Sequence, residues 1–486
     1  MGKRLLLINP PYDIGRYMGG LGKIGWVFPP VGLLYLASYI RKSLPSFEVS
    51  IFDFQVDGRD FDVFLKDFRP DIAGITCQTA LVYSTLAIAK KIKSALPDTM
   101  VVSGGVHASI RPQDLLESGD VDFVVRGEGE ETLLELCRFA DDKKRMRSVR
   151  GVSYKDEKGG VSGTPGMPLS PDLDKYPMPA LDLIPLDKYR ISPDLRTGSK
   201  FALLLSARGC PYDCIFCANK LLTERTYRAR PIKSVIEEIE YYLSEYGMTQ
   251  LMIIDDNFTV NRKRTLELCD EFIKRGYPSK FNWWAEGRVD SLDEELLGRM
   301  KKAGCSILSL GLESGNQRLL DLIGKKITLD QTRQAVGMIS RSGIKSRASV
   351  ILGLPTETRQ ESLNSIRFAY SLPLDQVRFS VATPFPGTKL WDIAVQEGRI
   401  DPGNVNWLDL SLMGGYAGHE LPYYPLGRSS GEIKALQRRA NLMFYLRPRV
   451  IFGFLGRIRS FSDIIVMFGG AVQFFKSSMG GRRKAA

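Results

Sequence analysis

The sequence is poor in histidine, in cysteines that could pair, and in long apolar runs, and each shortage removes a class of protein. Only two histidines occur in 486 residues, His107 and His419. The central cysteines therefore have no histidine close by to complete a structural zinc site, which usually takes four Cys or His ligands. Seven cysteines, three of them in one loop, do not make a disulfide framework, and a disulfide sits badly in an intracellular-looking chain. Cys77, Cys137, Cys269 and Cys305 are scattered and read as small buried residues, not as ligands of a second cluster. Met1-Gly2-Lys3-Arg4 precedes only four apolar residues before Asn9-Pro10-Pro11. That is too short for a signal peptide or a spanning helix, and Leu6 does not fit the myristoylation pattern. The expected compartment is a reducing cytoplasm.

What is present is ordinary for a globular chain: 44% hydrophobic and 25% charged residues, with length for about two to four domains. The net charge of +12 is uneven. From Arg428 onward twelve Lys/Arg face two Asp/Glu, so the preceding body is nearly neutral. This argues against a nucleic-acid-binding body and for a basic tail.

The chain is organised around Arg208-Gly209-Cys210-Pro211-Tyr212-Asp213-Cys214-Ile215-Phe216-Cys217, a C-x3-C-x2-C loop after an apolar run at 201–205. Iron–sulfur cubes take soft thiolates, normally four. Three from one loop would leave one iron without a protein ligand, free to bind and activate a small molecule. A zinc site, a disulfide or chance clustering are the alternatives.

Residues 1–140 alternate short apolar strands (5–8, 49–52, 72–76, 101–103, 123–125) with helical patterns (31–41, 61–68, 83–96, 112–117, 131–139). The alternation predicts an α/β, doubly wound, Rossmann-like parallel sheet with its site beyond the carboxyl ends of the strands. At those ends stand Thr76-Cys77-Gln78-Thr79, Gly104-Gly105-Val106-His107 and Gly127-Glu128-Gly129-Glu130. Paired glycines admit a bulky ligand close to the backbone, or simply turn the chain. His107 reads as a hydrogen-bonding partner of a cofactor or as a satisfied structural histidine. Residues 141–200, rich in charge, Gly and Pro, read as a linker that wraps, with a small hairpin near Val152.

From 201 to 388 six strands (201–206, 251–254, 281–285, 307–310, 348–352, 377–381) alternate with helices, which predicts a partial (β/α)6 barrel with its chemistry at the carboxyl ends. Those ends carry Asp255-Asp256-Asn257, Glu286-Gly287-Arg288, Glu313-Ser314 and Gly353-Leu354-Pro355. Asp255 and Asp256 would help hold an amino group or would cap the next helix. Arg288 would pair with a carboxylate, and Glu313 would accept two ribose hydroxyls. Beyond 388 an irregular aromatic region leads to a helix at 430–445. Residues 446–476 mix Phe, Ile and Val with Arg447, Arg449, Arg457 and Arg459; their longest apolar run, 464–468, is too short to span a bilayer. This helical tail either packs on the barrel or lies in a membrane interface.

The cysteine loop, with aromatic Phe216 before its last cysteine, resembles the radical S-adenosylmethionine (radical SAM) signature. The 201–388 stretch resembles that family's barrel along its length. The Asn-Pro-Pro opening, the Gly-Gly-x-His turn and the Gly-Glu-Gly-Glu turn resemble the cobalamin-binding domain that precedes many such barrels. One departure matters: the first 106 residues hold no histidine, so the first loop cannot offer an imidazole to cobalt.

The resemblance implies a 4Fe-4S cluster on Cys210, Cys214 and Cys217, S-adenosylmethionine held by Phe216, Asp255, Asp256, Asn257, Arg288, Glu313, Ser314 and Gly353, and cobalamin beside Thr76, Gln78, Thr79, Gly104, Gly105, His107, Gly127, Glu128 and Gly129. It implies reductive cleavage of S-adenosylmethionine, hydrogen abstraction from an unactivated carbon and methylation there. An external electron donor such as flavodoxin or ferredoxin and a small-molecule or lipid substrate would be the partners. A radical oxidoreductase or cyclase, resembling the anaerobic magnesium-protoporphyrin ester cyclase, and a non-catalytic cobalamin sensor are the competing readings.

Overall fold

The computed structural model describes residues 2–13, 15, 26–192, 195–411, 420–448 and 450–451. Residues 16–25, in the loop that follows the Asn-Pro-Pro opening, and the basic tail from 452 onward, including Arg457 and Arg459, lie outside the described residues. No described helix is long and apolar enough to cross a membrane.

Seven strands form the first sheet: β1 (Arg4–Asn9), β2 (Glu48–Asp53), β3 (Ile72–Thr76), β4 (Met100–Gly104), β5 (Phe123–Val125), β6 (Val152–Lys155) and β7 (Val161–Gly163). Their order is β2-β1-β3-β4-β5-β6-β7, parallel through β5. Order 2-1-3-4-5 is a doubly wound topology with its switch point between β1 and β3. The first strands are apolar on both faces because helices cover both.

The hairpin expected near Val152 is present. Val152–Lys155 and Val161–Gly163 pair antiparallel and extend the first sheet from β5. Gly and Pro in this stretch mark the turns of that hairpin and the chain's path beyond it.

The second sheet is all parallel, with order β15-β14-β13-β12-β11-β8. Its strands are β8 (Phe201–Leu204), β11 (Gln250–Ile253), β12 (Asn282–Gly287), β13 (Cys305–Glu313), β14 (Lys345–Leu352) and β15 (Gln376–Val381). Between the first two, β9 (Ala207–Arg208) and β10 (Arg228–Ala229) make a small antiparallel pair. Spatial order equal to chain order, with a helix after most strands, is the pattern of an open (β/α)6 barrel.

Beyond residue 388 the chain is not wholly irregular. Thr388 caps a helix over Lys389–Gln396 through its side chain. Leu390, Trp391, Trp407 and Tyr423 then pack in one apolar cluster with Leu6, Ile8 and Phe52 of the first sheet. The helix at Ser430–Tyr445 lies against β15.

Candidate active site

The carboxyl ends of the two sheets abut. Tyr12, just after β1, shares a hydrogen bond with Ser411 (3.3 Å). Arg208 beside the cysteine loop pairs with Glu130 (2.6 Å) just after β5. A Cβ on Gly387, beyond β15, would lie 3.0 Å from Ile110, which follows β4.

The cysteine loop is held on all sides. Gly209 adopts φ +92°, and a Cβ there would stand 2.0 Å from the Thr226 carbonyl oxygen, so only glycine lets the loop close on its neighbour. Gly209 N–H donates to Asp256 (2.8 Å). Ile215 N–H donates to the Ile323 carbonyl (3.1 Å), and Leu390 N–H donates to the Ile215 carbonyl (3.0 Å). Phe216 is half-buried against the apolar clusters of both sheets.

Cys210, Cys214 and Cys217 are all free thiols. Burial pushes each upward, Cys217 to about 11. Cys217 lies in the field of both other thiols, while the cations of Arg288 and Lys325 favour the thiolates of Cys210 and Cys214. Among the described residues no three His, Cys, Asp or Glu side chains converge on one point. A cubane takes one thiolate per iron, so its ligands need to be neighbours without converging. Three free thiols on one rigid loop, two of them beside cations, fit such a cluster in donor chemistry.

The acids after β11 buttress this loop from beneath. Asp255 is buried and accepts from Ser206 N–H (2.6 Å), Ser206 Oγ (2.5 Å) and Ala207 N–H (3.0 Å). Burial raises it to about 6. Neither acid caps the following helix: Asn261 does, for Arg262–Lys274. Asn257 is buried with its Nδ2 lacking an acceptor among the described residues, an orphan donor that a ligand oxygen would satisfy.

Arg288 already has a carboxylate. Its guanidinium stacks 3.5 Å over the Tyr212 ring, pairs with Asp290 at 3.0 Å and donates to the Lys325 carbonyl at 2.6 Å. Glu313, at φ +62° beside a bulge in β13, pairs with Lys325 Nζ (2.8 Å), both buried. Ser314 turns inward, within 3.1 Å of Ser365. Gly353, at φ +81°, and Leu354 both donate N–H to Glu357, whose carboxyl burial raises to about 7.

On the first sheet the Gly104-Gly105 turn is stitched to Cys77, whose N–H donates to the Gly104 carbonyl at 2.7 Å. Gly105 has φ +105°, and a Cβ there would meet the Cys77 carbonyl oxygen at 2.9 Å. Thr76 and Gly104 are half-buried at the strand ends, and Gln78 is exposed.

His107 is the satisfied structural histidine. Its ring is fully buried between Asp114 (3.2 Å) and Thr79 (3.4 Å), edge-on to Trp407. Glu128, expected beside a cofactor, is taken up by Arg228 (2.5 Å) and Arg208 (3.4 Å), and these cations hold it below its ordinary range. Gly127 (φ +79°) donates to Ser109 (2.9 Å) and Gly129 packs on Leu36. The latch between Glu128, Glu130, Arg208 and Arg228 escaped the sequence reading, because its members lie about a hundred positions apart on different sheets.

Residues 204–369 match the model of the radical SAM superfamily, and residues 19–137 match that of the B12 binding domain. The chain is 35% identical over 454 residues to an uncharacterized methyltransferase of Pyrococcus horikoshii, covering 92% of this chain and 94% of that one. It is 32% identical over 400 residues to the anaerobic magnesium-protoporphyrin IX monomethyl ester cyclase of Rubrivivax gelatinosus, covering 80% and 69%. Among solved structures, the radical SAM methyltransferase TsrM of Kitasatospora setae, with cobalamin and a [4Fe-4S] cluster bound, superposes with TM-score 0.72 at 18% identity, covering 99% of this chain and 100% of that one. The chain belongs to the radical SAM enzymes that carry an N-terminal cobalamin-binding domain, a family whose cofactors are a 4Fe-4S cluster, S-adenosylmethionine and cobalamin.

Proposed function

We propose that this enzyme is a methyltransferase that methylates an unactivated carbon, with Cys210, Cys214 and Cys217 holding the cluster and the loops after β3, β4 and β5 holding cobalamin. When bound, the cluster supplies the electron that splits S-adenosylmethionine to a 5′-deoxyadenosyl radical, and cobalamin carries the methyl group. The carrying observation is that the carboxyl ends of the two parallel sheets abut, with the free cysteines at the junction. Two sites on separate sheets can cooperate on one substrate only if their open ends share a space.

The chain's own residues do the positioning. Asp255 and Asp256 fix the cysteine loop through its backbone. Arg288 clamps Tyr212, and the Glu313–Lys325 pair sits beside the thiols, where Glu313 would meet a ribose. Relatives named as methyltransferases support methyl transfer, since one of them aligns over nearly its whole length. The cyclase alignment keeps a second reading in play, oxidation or ring formation without methyl transfer.

The test is anaerobic reconstitution with S-adenosylmethionine and methylcobalamin, followed by mass analysis against candidate substrates. A gain of one methyl group with 5′-deoxyadenosine release supports the proposal. 5′-Deoxyadenosine with oxidised, unmethylated product supports the cyclase-like reading, and no cleavage at all overturns both.

A further inference from the structure

The two faces of the second sheet differ. Leu204, Ile253, Ala285, Leu308, Val350 and Phe379 belong to one apolar cluster that also takes in residues of the surrounding helices. Side chains alternate along a strand, so the intervening residues line the opposite, inner face. There Leu203, Met252, Trp284 and Ile307, joined by Leu195, make an apolar floor. Alternation from Ile307 brings Ser309 and then Gly311 onto the same inner face of β13, toward its carboxyl end.

Gly311 leaves room there for an ion pair. A Cβ at this position would stand 2.2 Å from Glu313 Oε1 and 2.6 Å from Lys325 Nζ, so the pair occupies the space of a side chain. Lys325 follows the short helix Gln317–Leu322 and reaches this inner face from outside the sheet. Both members are buried, 2.8 Å apart.

The segment that carries Lys325 is fastened to the cysteine loop. The Ile323 carbonyl accepts from Ile215 N–H (3.1 Å). A Cβ on Gly324, at φ +68°, would lie 3.2 Å from the Asp213 carbonyl oxygen. Arg288, stacked on Tyr212 of the same loop, donates to the Lys325 carbonyl (2.6 Å). The place of the ammonium is thereby tied to that of the thiols, and its field reaches Cys210 and Cys214.

Acids outnumber cations in this neighbourhood: Asp256, Asp290 and Glu313 against Arg288 and Lys325. Arg288 is taken up by Asp290 through two nitrogens (3.0 Å each) and by the Lys325 carbonyl. An ammonium has three donors, and Lys325 uses one, on Glu313. Its other two have no acceptor among the described residues. Reduction adds a negative charge to an iron–sulfur cluster, and nearby charge and hydrogen bonds to the sulfurs set its potential. A buried cation, poorly screened by solvent, favours the reduced form.

We propose that Lys325 is a positioning residue for the electron step, its ammonium held beside the cysteine loop so as to raise the reduction potential of the cluster on Cys210, Cys214 and Cys217. One electron passes from an external one-electron donor to the cluster, and no bond forms or breaks in that step. Glu313 opposes the effect through its own charge. This rests on reading the three cysteines as the ligands of a 4Fe-4S cluster.

The test is redox potentiometry followed by electron paramagnetic resonance, on full-length, anaerobically reconstituted protein without S-adenosylmethionine. Wild type, Lys325→Met, Glu313→Gln and the double variant are compared, each checked for iron content and far-ultraviolet circular dichroism. At a fixed potential Lys325→Met should hold about tenfold less reduced cluster, a shift of about 59 mV for a one-electron couple. Glu313→Gln should shift the other way, and the double variant should lie between the two. Opposite signs from the two members of one ion pair cannot come from misfolding. Should Lys325→Met fail to load iron, the double variant against Glu313→Gln reads the same lysine step with no carboxylate left unpaired.

Equal potentials in all four proteins, or a shift of both single variants in one direction, overturns the proposal. So do unchanged potentials with weakened S-adenosylmethionine binding by Lys325→Met in calorimetry, which would assign the ammonium to the methionine carboxylate. A reconstituted wild type that carries no cluster overturns the parent reading and this one with it, whereas a loaded wild type with equal potentials in the variants overturns this one alone.

Discussion

Asp255 shows what the cysteines require beneath them. Its carboxylate satisfies three donors of the segment that leads into the loop. Asp255→Ala leaves those donors buried and unpaired, at a cost of about 2 kcal/mol or more. Asp255→Asn keeps an acceptor in place. Iron analysis after reconstitution should therefore find little iron on the alanine variant and near wild-type iron on the asparagine variant; equal iron on both would remove Asp255 from this role.

Glu357 gives a pH signature. Burial raises its carboxyl from an ordinary 4.5 to about 7, so between those values the folded chain binds more proton than the unfolded one. Its contribution is present below about pH 4.5 and is lost as pH rises through about 7. Glu357→Gln cannot ionise. Urea midpoints should place it better relative to wild type at pH 8 than at pH 5, and a pH-independent difference would contradict this. The cysteine trio was legible in the sequence because its spacing is local. The partners of Glu128 and Arg288 were not, because an ion pair depends on who arrives from elsewhere in the chain.

Two short segments, the loop at Gly209 and the β9–β10 pair, carry the join between the sheets. Gly209→Ala would press a methyl group onto the Thr226 carbonyl at a positive φ, and should fold without loading iron, checked by circular dichroism beside iron content. In the adjoining latch, Arg228 and Glu128 are largely buried. Arg228→Ala leaves Glu128 only its longer contact to Arg208 (3.4 Å) and should lower stability by about 2 kcal/mol, read as a shifted urea midpoint at constant slope. The main strands of both sheets were readable to within about three residues from apolar alternation. The β6–β7 hairpin was harder, since three- and four-residue edge strands among glycines carry little pattern. The helix at Lys389–Gln396 had a signal in its Thr388 cap that the aromatic composition around it obscured.

Taken together, the sheets share apolar packing: one buried cluster holds Leu5 and Leu7 as well as Leu204 and Leu251. The chain should accordingly unfold as one unit. Tryptophan fluorescence, which samples Trp283 and Trp284 on β12 and Trp391 and Trp407 against the first sheet, should trace the same urea transition as far-ultraviolet circular dichroism. Two separated transitions would mean the halves are independent. Alternation revealed two parallel sheets, but it could not reveal that their open ends meet, because that depends on contacts made by residues far along the chain, among them Trp391, Trp407 and Tyr423 against the first sheet.

The apolar floor formed by Leu203, Met252, Trp284 and Ile307 has a consequence for selectivity. In the proposed reaction a radical would attack any carbon–hydrogen bond within reach, so choice would come from how far a molecule can be pushed in. A wall of large, interlocked side chains acts as a depth stop. Shaving it, as in Trp284→Ala, should let the same molecule slide deeper and shift the site of attack along its skeleton, so that the enzyme measures length where it cannot discriminate by bond strength.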